Sequence, residues 1–153
     1  MSHDLVPLAM ANKTRRPWRL YLAALCIGLL SAGGSHAEPR LWMTVGERRM
    51  AVTLADTEAA RAFAARLPLT LDMTDLNSNE KKFDLPNELP ANASRPGTIR
   101  NGDLMLYGAN TMVLFYLTFD SPYSYTRLGR VDDPSGLAQA LGQGSARVRF
   151  SRN

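Results

Sequence analysis

Cysteine and histidine are nearly missing from this chain. Its 153 residues hold one cysteine and two histidines, and all three, His3, Cys26 and His36, precede position 37. From there on the chain has no thiol and no imidazole. A Ser/His/Asp or Cys/His nucleophilic set needs a base that titrates near neutrality, usually histidine, so that chemistry is excluded downstream. Zinc sites built from His and Cys are excluded with it. No disulfide can form within residues 38–153, so a domain there must stand on its core alone. Phosphate loops of the G-x-G-x-x-G or Walker type are absent, and Gly142-Gln143-Gly144 reads as a helix end followed by a turn. Acids do not cluster as a calcium loop requires: Asp72 with Asp75, or Asp132 with Asp133, are too few. No metal and no cofactor is expected.

What is present begins with an export signal. Lys13, Arg15, Arg16 and Arg19 supply a basic segment, residues 20–31 (LYLAALCIGLLS) an apolar run, and Ser35-His36-Ala37 the small residues of a cleavage site before Glu38. Residues 1–37 therefore read as a signal peptide and 38–153 as the mature domain. A spanning helix needs about 20 apolar residues, and this run meets Gly33-Gly34 too soon. A cleaved signal, with no stable membrane anchor left, is the expectation. Arg15-Arg16 also partly matches a twin-arginine signal, although Arg19 stands where that pattern prefers an apolar residue. The location implied is periplasmic or secreted.

Charge follows the same division. Four of the 18 basic residues and one of the 14 acids lie in the head, which leaves 14 against 13 in the domain. A nucleic-acid binder keeps a basic stripe, and this domain keeps none. Arg147 and Arg149 alternate onto the solvent side of a strand, so no nucleic-acid partner is expected.

Period-two alternation predicts half-buried strands over residues 49–54 and 69–76, with a strand at 41–45 joined to the first by a short hairpin link. Ala60, Phe63, Ala64 and Leu67 mark one helix face, with Asp56 or Thr57 as cap and Pro68 as stop. Residues 77–102 read as a long irregular excursion with one extended piece at 82–85, either a functional rim or a cover over a barrel end. Strands at 104–107 and 112–119 flank a four-residue loop, and 126–131 is a short strand with Gly129 at a bulge. Asp133 and Pro134 start a second helix that ends at Gly142, and 146–151 closes as a strand with Val148 and Phe150 inward. Seven or eight strands and two short helices predict a mainly β fold closed into a barrel, because closure removes edges.

Particular stretches then carry a resemblance. They are the opening hairpin and helix, Arg66-Leu67-Pro68-Leu69-Thr70-Leu71, Glu80-Lys81-Lys82-Phe83 with Leu85-Pro86, Gly102-Asp103-Leu104 with Tyr107, Leu114-Phe115-Tyr116 and Leu128-Gly129-Arg130. In that order and spacing, residues 41–151 resemble the bacterial cyclophilin-like proteins. The resemblance implies a cyclophilin-type β-barrel of about eight strands. It carries no activity: the F-H-R-x-I and G-x-x-x-Q-G-G-D segments of the proline-isomerising cyclophilins are absent, and no catalytic residue transfers.

Strand-end acids such as Asp72, Asp75 and Asp120 read as turn formers, and Lys81 and Lys82 as solvated lysines. The remaining candidate for binding is an aromatic-arginine group: Tyr107, Phe115 and Tyr116 from paired strands, with Tyr123, Tyr125 and Arg127 from the next turn. Barrel pockets mix apolar walls with a few aimed polar groups. The leading expectation is a non-catalytic module that binds a small molecule or extended peptide. A peptidyl-prolyl isomerase using Arg127 or Arg100 as donor to the amide nitrogen is the enzymatic alternative. A structural or interaction module for an envelope partner is the third.

Overall fold

A computed structural model describes residues 40–152; the predicted signal at 1–37 lies outside them. Ten strands and two helices follow in the order β1 (Arg40–Val45), β2 (Arg48–Leu54), α1 (Glu58–Ala65), β3 (Leu69–Leu76), β4 (Glu80–Asp84), β5 (Gly97–Ile99), β6 (Asp103–Tyr107), β7 (Thr111–Phe115), β8 (Phe119–Ser121), β9 (Thr126–Val131), α2 (Leu137–Leu141) and β10 (Ala146–Ser151). Eight of the strands close a barrel in the order β1-β10-β3-β4-β7-β6-β9-β2, with all neighbours antiparallel. The expected closed barrel is therefore the observed fold. β5 and β8 form a separate two-stranded layer.

Alternation decides what fills the barrel. Leu71 pairs with Val148 and Met73 with Ala146 across β3–β10, and all four point inward and are buried. Between them Arg147 faces Asp72 on the solvent side, 3.8 Å apart; such an exposed pair contributes little stability. The interior is packed with Met43, Val52, Leu104, Leu106, Met112, Leu114, Leu128 and Phe150. An eight-stranded barrel has just the bore that side chains can fill. Phe63 of α1 meets Phe150 edge to face at 5.4 Å. Thr57 caps α1 by accepting from the Ala60 amide and donates its own hydroxyl proton to the Arg127 carbonyl.

Three expectations are corrected. The apolar run at 112–119 is two strands: β7 stops at Phe115, the Tyr116 amide donates to the Asn79 carbonyl, and the chain re-enters pairing only at Phe119, in the outer layer. No glycine or proline marks that exit. The second helix begins at Leu137. Asp133 instead closes a turn by accepting from the Ser135 amide, and Gly136, at φ +69°, occupies the cap. The excursion at 77–102 contains β4, which starts two residues earlier than the predicted extended piece, and also β5. Its middle covers a barrel end: the Leu85 and Leu89 amides donate to the Asn110 and Ala109 carbonyls, and both side chains join the core.

β9 fits the bulge expectation. Leu104 pairs with Gly129 and Met105 with Arg127, so Leu128 is the extra residue.

Candidate functional site

The outer face of β4, β7 and β6 forms the inner wall of a cavity. Because side chains alternate, the residues that fill the barrel and those that face this wall interleave along each strand. On β4, Lys81 and Phe83 point inward, whereas Glu80, Lys82 and Asp84 line the cavity. On β7, Met112 and Leu114 belong to the interior, and Val113 and Phe115 to a second apolar cluster with Ile99, Met105 and Tyr125. Phe119 of β8 packs on that second cluster, and the β5–β8 layer thereby joins the barrel wall.

The cavity measures about 550 Å³, within the 300–1,000 Å³ typical of ligand pockets. Its rings form a continuous row. Phe119 and Phe115 stand 5.7 Å apart, Phe115 and Tyr125 5.5 Å, Tyr125 and Tyr107 5.7 Å, and Tyr107 and Tyr123 6.3 Å, all tilted or edge to face. These are the preferred geometries of aromatic pairs. Tyr107 and Tyr123 remain half exposed at the mouth, while Tyr125 is buried. Paired backbone bonds between Tyr125 and Ser94 hold this segment, and the Asn92 amide donates to the Thr126 hydroxyl.

Of the six residues picked from sequence, Tyr107, Tyr123 and Tyr125 line the cavity and Phe115 backs it through Tyr125 and Phe119. Tyr116 and Arg127 are not brought to this group. The Tyr116 side chain belongs to the barrel interior's end and donates its hydroxyl to Asp75 Oδ1 at 2.6 Å. Burial, then that hydrogen bond, pushes its phenol up to about 12. Arg127 lines a separate shallow depression with Thr53, Gly129, Arg130 and Asp132. Its guanidinium lies 4.0 Å from the buried Asp103, which Arg130 approaches at 3.8 Å.

The lysines also part from expectation. Lys81 is fully buried, and its Nζ donates to Asp75 Oδ1 (2.8 Å), the Gly142 carbonyl (2.8 Å) and the Gly144 carbonyl (2.6 Å). Lys82 lies on the cavity wall, 3.3 Å from Asp84.

Sequence reasoning missed Glu80. This residue is only 8% exposed and lines the cavity, and its carboxyl has no hydrogen-bond or ion-pair partner among the described residues. Burial first, and then the charge of Asp75, raise its carboxyl above the ordinary glutamate value. Burial chiefly raises the Tyr125 hydroxyl as well, against a hydrogen bond with Ser121 that lowers it and with smaller raising contributions from Glu80, Tyr107 and Tyr123. Next to Glu80, Asn79 Oδ1 is buried and likewise unpaired among the described residues. A charged residue in a strand adjoining an all-apolar strand was the available signal, because one of its two faces must then be covered.

The raised carboxyl has a signed consequence. As pH climbs from the ordinary glutamate value, the unfolded chain ionises first, so stability falls through the interval up to the raised value and stays lower above it. Glu80→Gln is therefore expected to be more stable than the parent at pH 7, with the gap closing toward pH 4. Urea denaturation at the two pH values measures this; a variant less stable at pH 7 would contradict the assignment.

Among the described residues, no group of three or more His, Cys, Asp or Glu side chains could hold a metal ion. The geometry instead offers a wall of aromatic rings, carboxylates and one engaged ammonium group.

Comparison with known proteins agrees with the architecture. The solution structure of a hypothetical protein from Archaeoglobus fulgidus is similar, with a TM-score of 0.51 and 17% identity over 79% of this chain and 99% of that one. That likeness concerns the fold alone. No curated protein matches the sequence. The model of the cyclophilin-like family matches residues 43–151, nearly the whole barrel, and the chain belongs to that family.

Proposed function

We propose that this cyclophilin-like barrel is a binding domain that takes a small molecule or an extended peptide in the aromatic cavity and does not turn it over. The observation that carries the reading is a wall of four rings, Tyr107, Phe119, Tyr123 and Tyr125, backed by Phe115, beside the Glu80 carboxyl, which has no protein partner among the described residues, in a ligand-sized cavity. An isomerase would need a donor aimed at the twisting amide nitrogen. Neither Arg100 nor Arg127 is among the residues that line this cavity. A coupled proline-isomerisation assay is expected to give no acceleration over buffer, and acceleration would replace binding with catalysis.

Binding itself is tested by a fragment screen read on the tyrosine ring resonances. Tyr123, 58% exposed, stands at the mouth. Tyr123→Ala should weaken hits by about tenfold, the effect of losing one aromatic contact of about 1.4 kcal/mol, while stability changes by about 0.5 kcal/mol or less. If no fragment moves those resonances and no ligand co-purifies, the binding reading fails. Export belongs to the same proposal and rests on residues 1–37. An exported chain that begins at Glu38 supports it, and one that retains His36 overturns the cleavage site.

A further inference from the structure

The cavity is one-sided in its chemistry. Three carboxylates line it, Glu80, Asp84 and Asp120, against one ammonium, Lys82. Two of the three are already engaged. Asp84 accepts from the Thr111 hydroxyl at 2.7 Å and pairs with Lys82, and Asp120 accepts from the Thr98 hydroxyl at 2.8 Å. The pairing with Asp84 also occupies Lys82, the one cation that lines the cavity among the described residues. The Glu80 carboxyl alone is left without a partner among the described residues, and the residue is more than nine-tenths buried. Its neighbour Asn79 adds a buried, unpaired amide oxygen. Lys81, next in sequence, cannot neutralise it, because that side chain lies on the opposite face of β4 and is committed to Asp75 and two carbonyls.

The Glu80 carboxyl borders the cavity with no protein donor among the described residues, so a ligand that donates a hydrogen bond there replaces water at a poorly solvated acceptor. The rings narrow its nature. The rings of Tyr107, Tyr123 and Tyr125 carry a negative potential on their faces that attracts a cation, modestly at the half-exposed mouth and more strongly beside the buried Tyr125. Unpaired acceptors, excess negative charge and aromatic faces converge on one kind of group. We propose that the cavity binds an organic ammonium group carrying N–H bonds, which donates to the Glu80 carboxylate and packs against the tyrosine rings. The inference rests on the binding reading above and specifies its ligand chemistry. A lysine side chain of a peptide and a free amine present the same group.

The test is an NMR titration of residues 38–153, the barrel with its adjoining N-terminal residues, following the Glu80 amide and the tyrosine rings. The probes are benzylammonium, its neutral counterpart benzyl alcohol, and benzoate. Benzylammonium should bind at least tenfold more tightly than benzyl alcohol, and benzoate more weakly than either. Glu80→Gln should weaken benzylammonium at least tenfold and leave benzyl alcohol unchanged. Equal affinities for the cation and the alcohol, or an unchanged affinity in Glu80→Gln, would sink the ammonium assignment while leaving the binding domain intact. Silence from all three probes and from a wider fragment set would instead defeat the binding reading. Tighter binding of acetyl-Gly-Lys-Gly-amide than of n-butylammonium supports the proposal with a peptide as source, and the reverse order supports it with a free amine.

Discussion

Lys81→Met is expected to lower the melting temperature by at least about 12 °C. The methionine keeps the length of the stem and removes all three hydrogen bonds of the ammonium. A lysine ammonium has three donors, and here each has found an acceptor, so the native arrangement is saturated. Asp75 is partly exposed, so the cost lies at the low end of that for a buried pair, about 3 kcal/mol, summed over one carboxylate and two carbonyls that lose a charged donor. A domain this small loses about 4–8 °C per kcal/mol. Asp75 would keep the Tyr116 hydroxyl and the Ser78 amide, and the carbonyls of Gly142 and Gly144 would turn toward solvent and loosen the link between α2 and β10. Adding Asp75→Asn should restore part of the loss, so the double variant falls short of the summed singles. The acid limb carries a second signature. Lys81 first, then Tyr116, holds the Asp75 carboxyl below the ordinary aspartate value. Its contribution is present above that value and disappears as pH falls through the lowered one. Lys81→Met should flatten that slope. A variant within about 3 °C of the parent would show that the buried ammonium contributes little.

Gly129→Ala is the second large effect, and its origin is steric. Gly129 pairs with Leu54 where β9 meets β2. A methyl group there would lie 2.5 Å from the Thr53 carbonyl oxygen and 3.3 Å from Leu54 Cα, both backbone atoms. Neither can rotate away, so the two strands must separate at a short seam of three ladder pairs, extended at its ends by the Ala55 amide on the Leu128 carbonyl and the Asp132 amide on the Ala51 carbonyl. Overpacking of this kind costs about 1–3 kcal/mol, and the upper half of that range is expected because closure of the barrel is at stake. Gly108→Ala provides the contrast. It has open space around it and φ +59°, so it meets a conformational penalty of about 1–2 kcal/mol without a clash. Hydrogen exchange separates the two: Gly129→Ala should speed exchange at the β2–β9 amides, whereas Gly108→Ala should affect the β6–β7 turn.

The strands bounded by turn residues were legible. β3, β9 and β10 coincide with the segments read from sequence at 69–76, 126–131 and 146–151; period two orients β3 and β10, and the glycine in 126–131 marks the bulged β9. The break in 112–119 was not legible, since Tyr116, Leu117 and Thr118 suit a strand as well as their neighbours do and the exit is decided by a contact with Asn79. β5 is three residues long, too short for any period. The tyrosines of the cavity stood out by type. Glu80 did not, because Glu80-Lys81-Lys82-Phe83-Asp84 looks like a solvated run until pairing with β7 assigns its members to opposite faces. Arg127 and Tyr116 are near the tyrosines in sequence, yet the bulge at Leu128 and the end of β7 leave them in other surroundings.

The interleaving on β4 has an evolutionary consequence. Positions 80, 82 and 84 set the electrical character of the cavity, while 81 and 83 serve the interior. Exchanging charges at the first three would alter what the domain attracts without disturbing a single interior contact. The same frame could carry a cavity of either sign, so selection on ligand preference and selection on folding act on separate letters of one five-residue word.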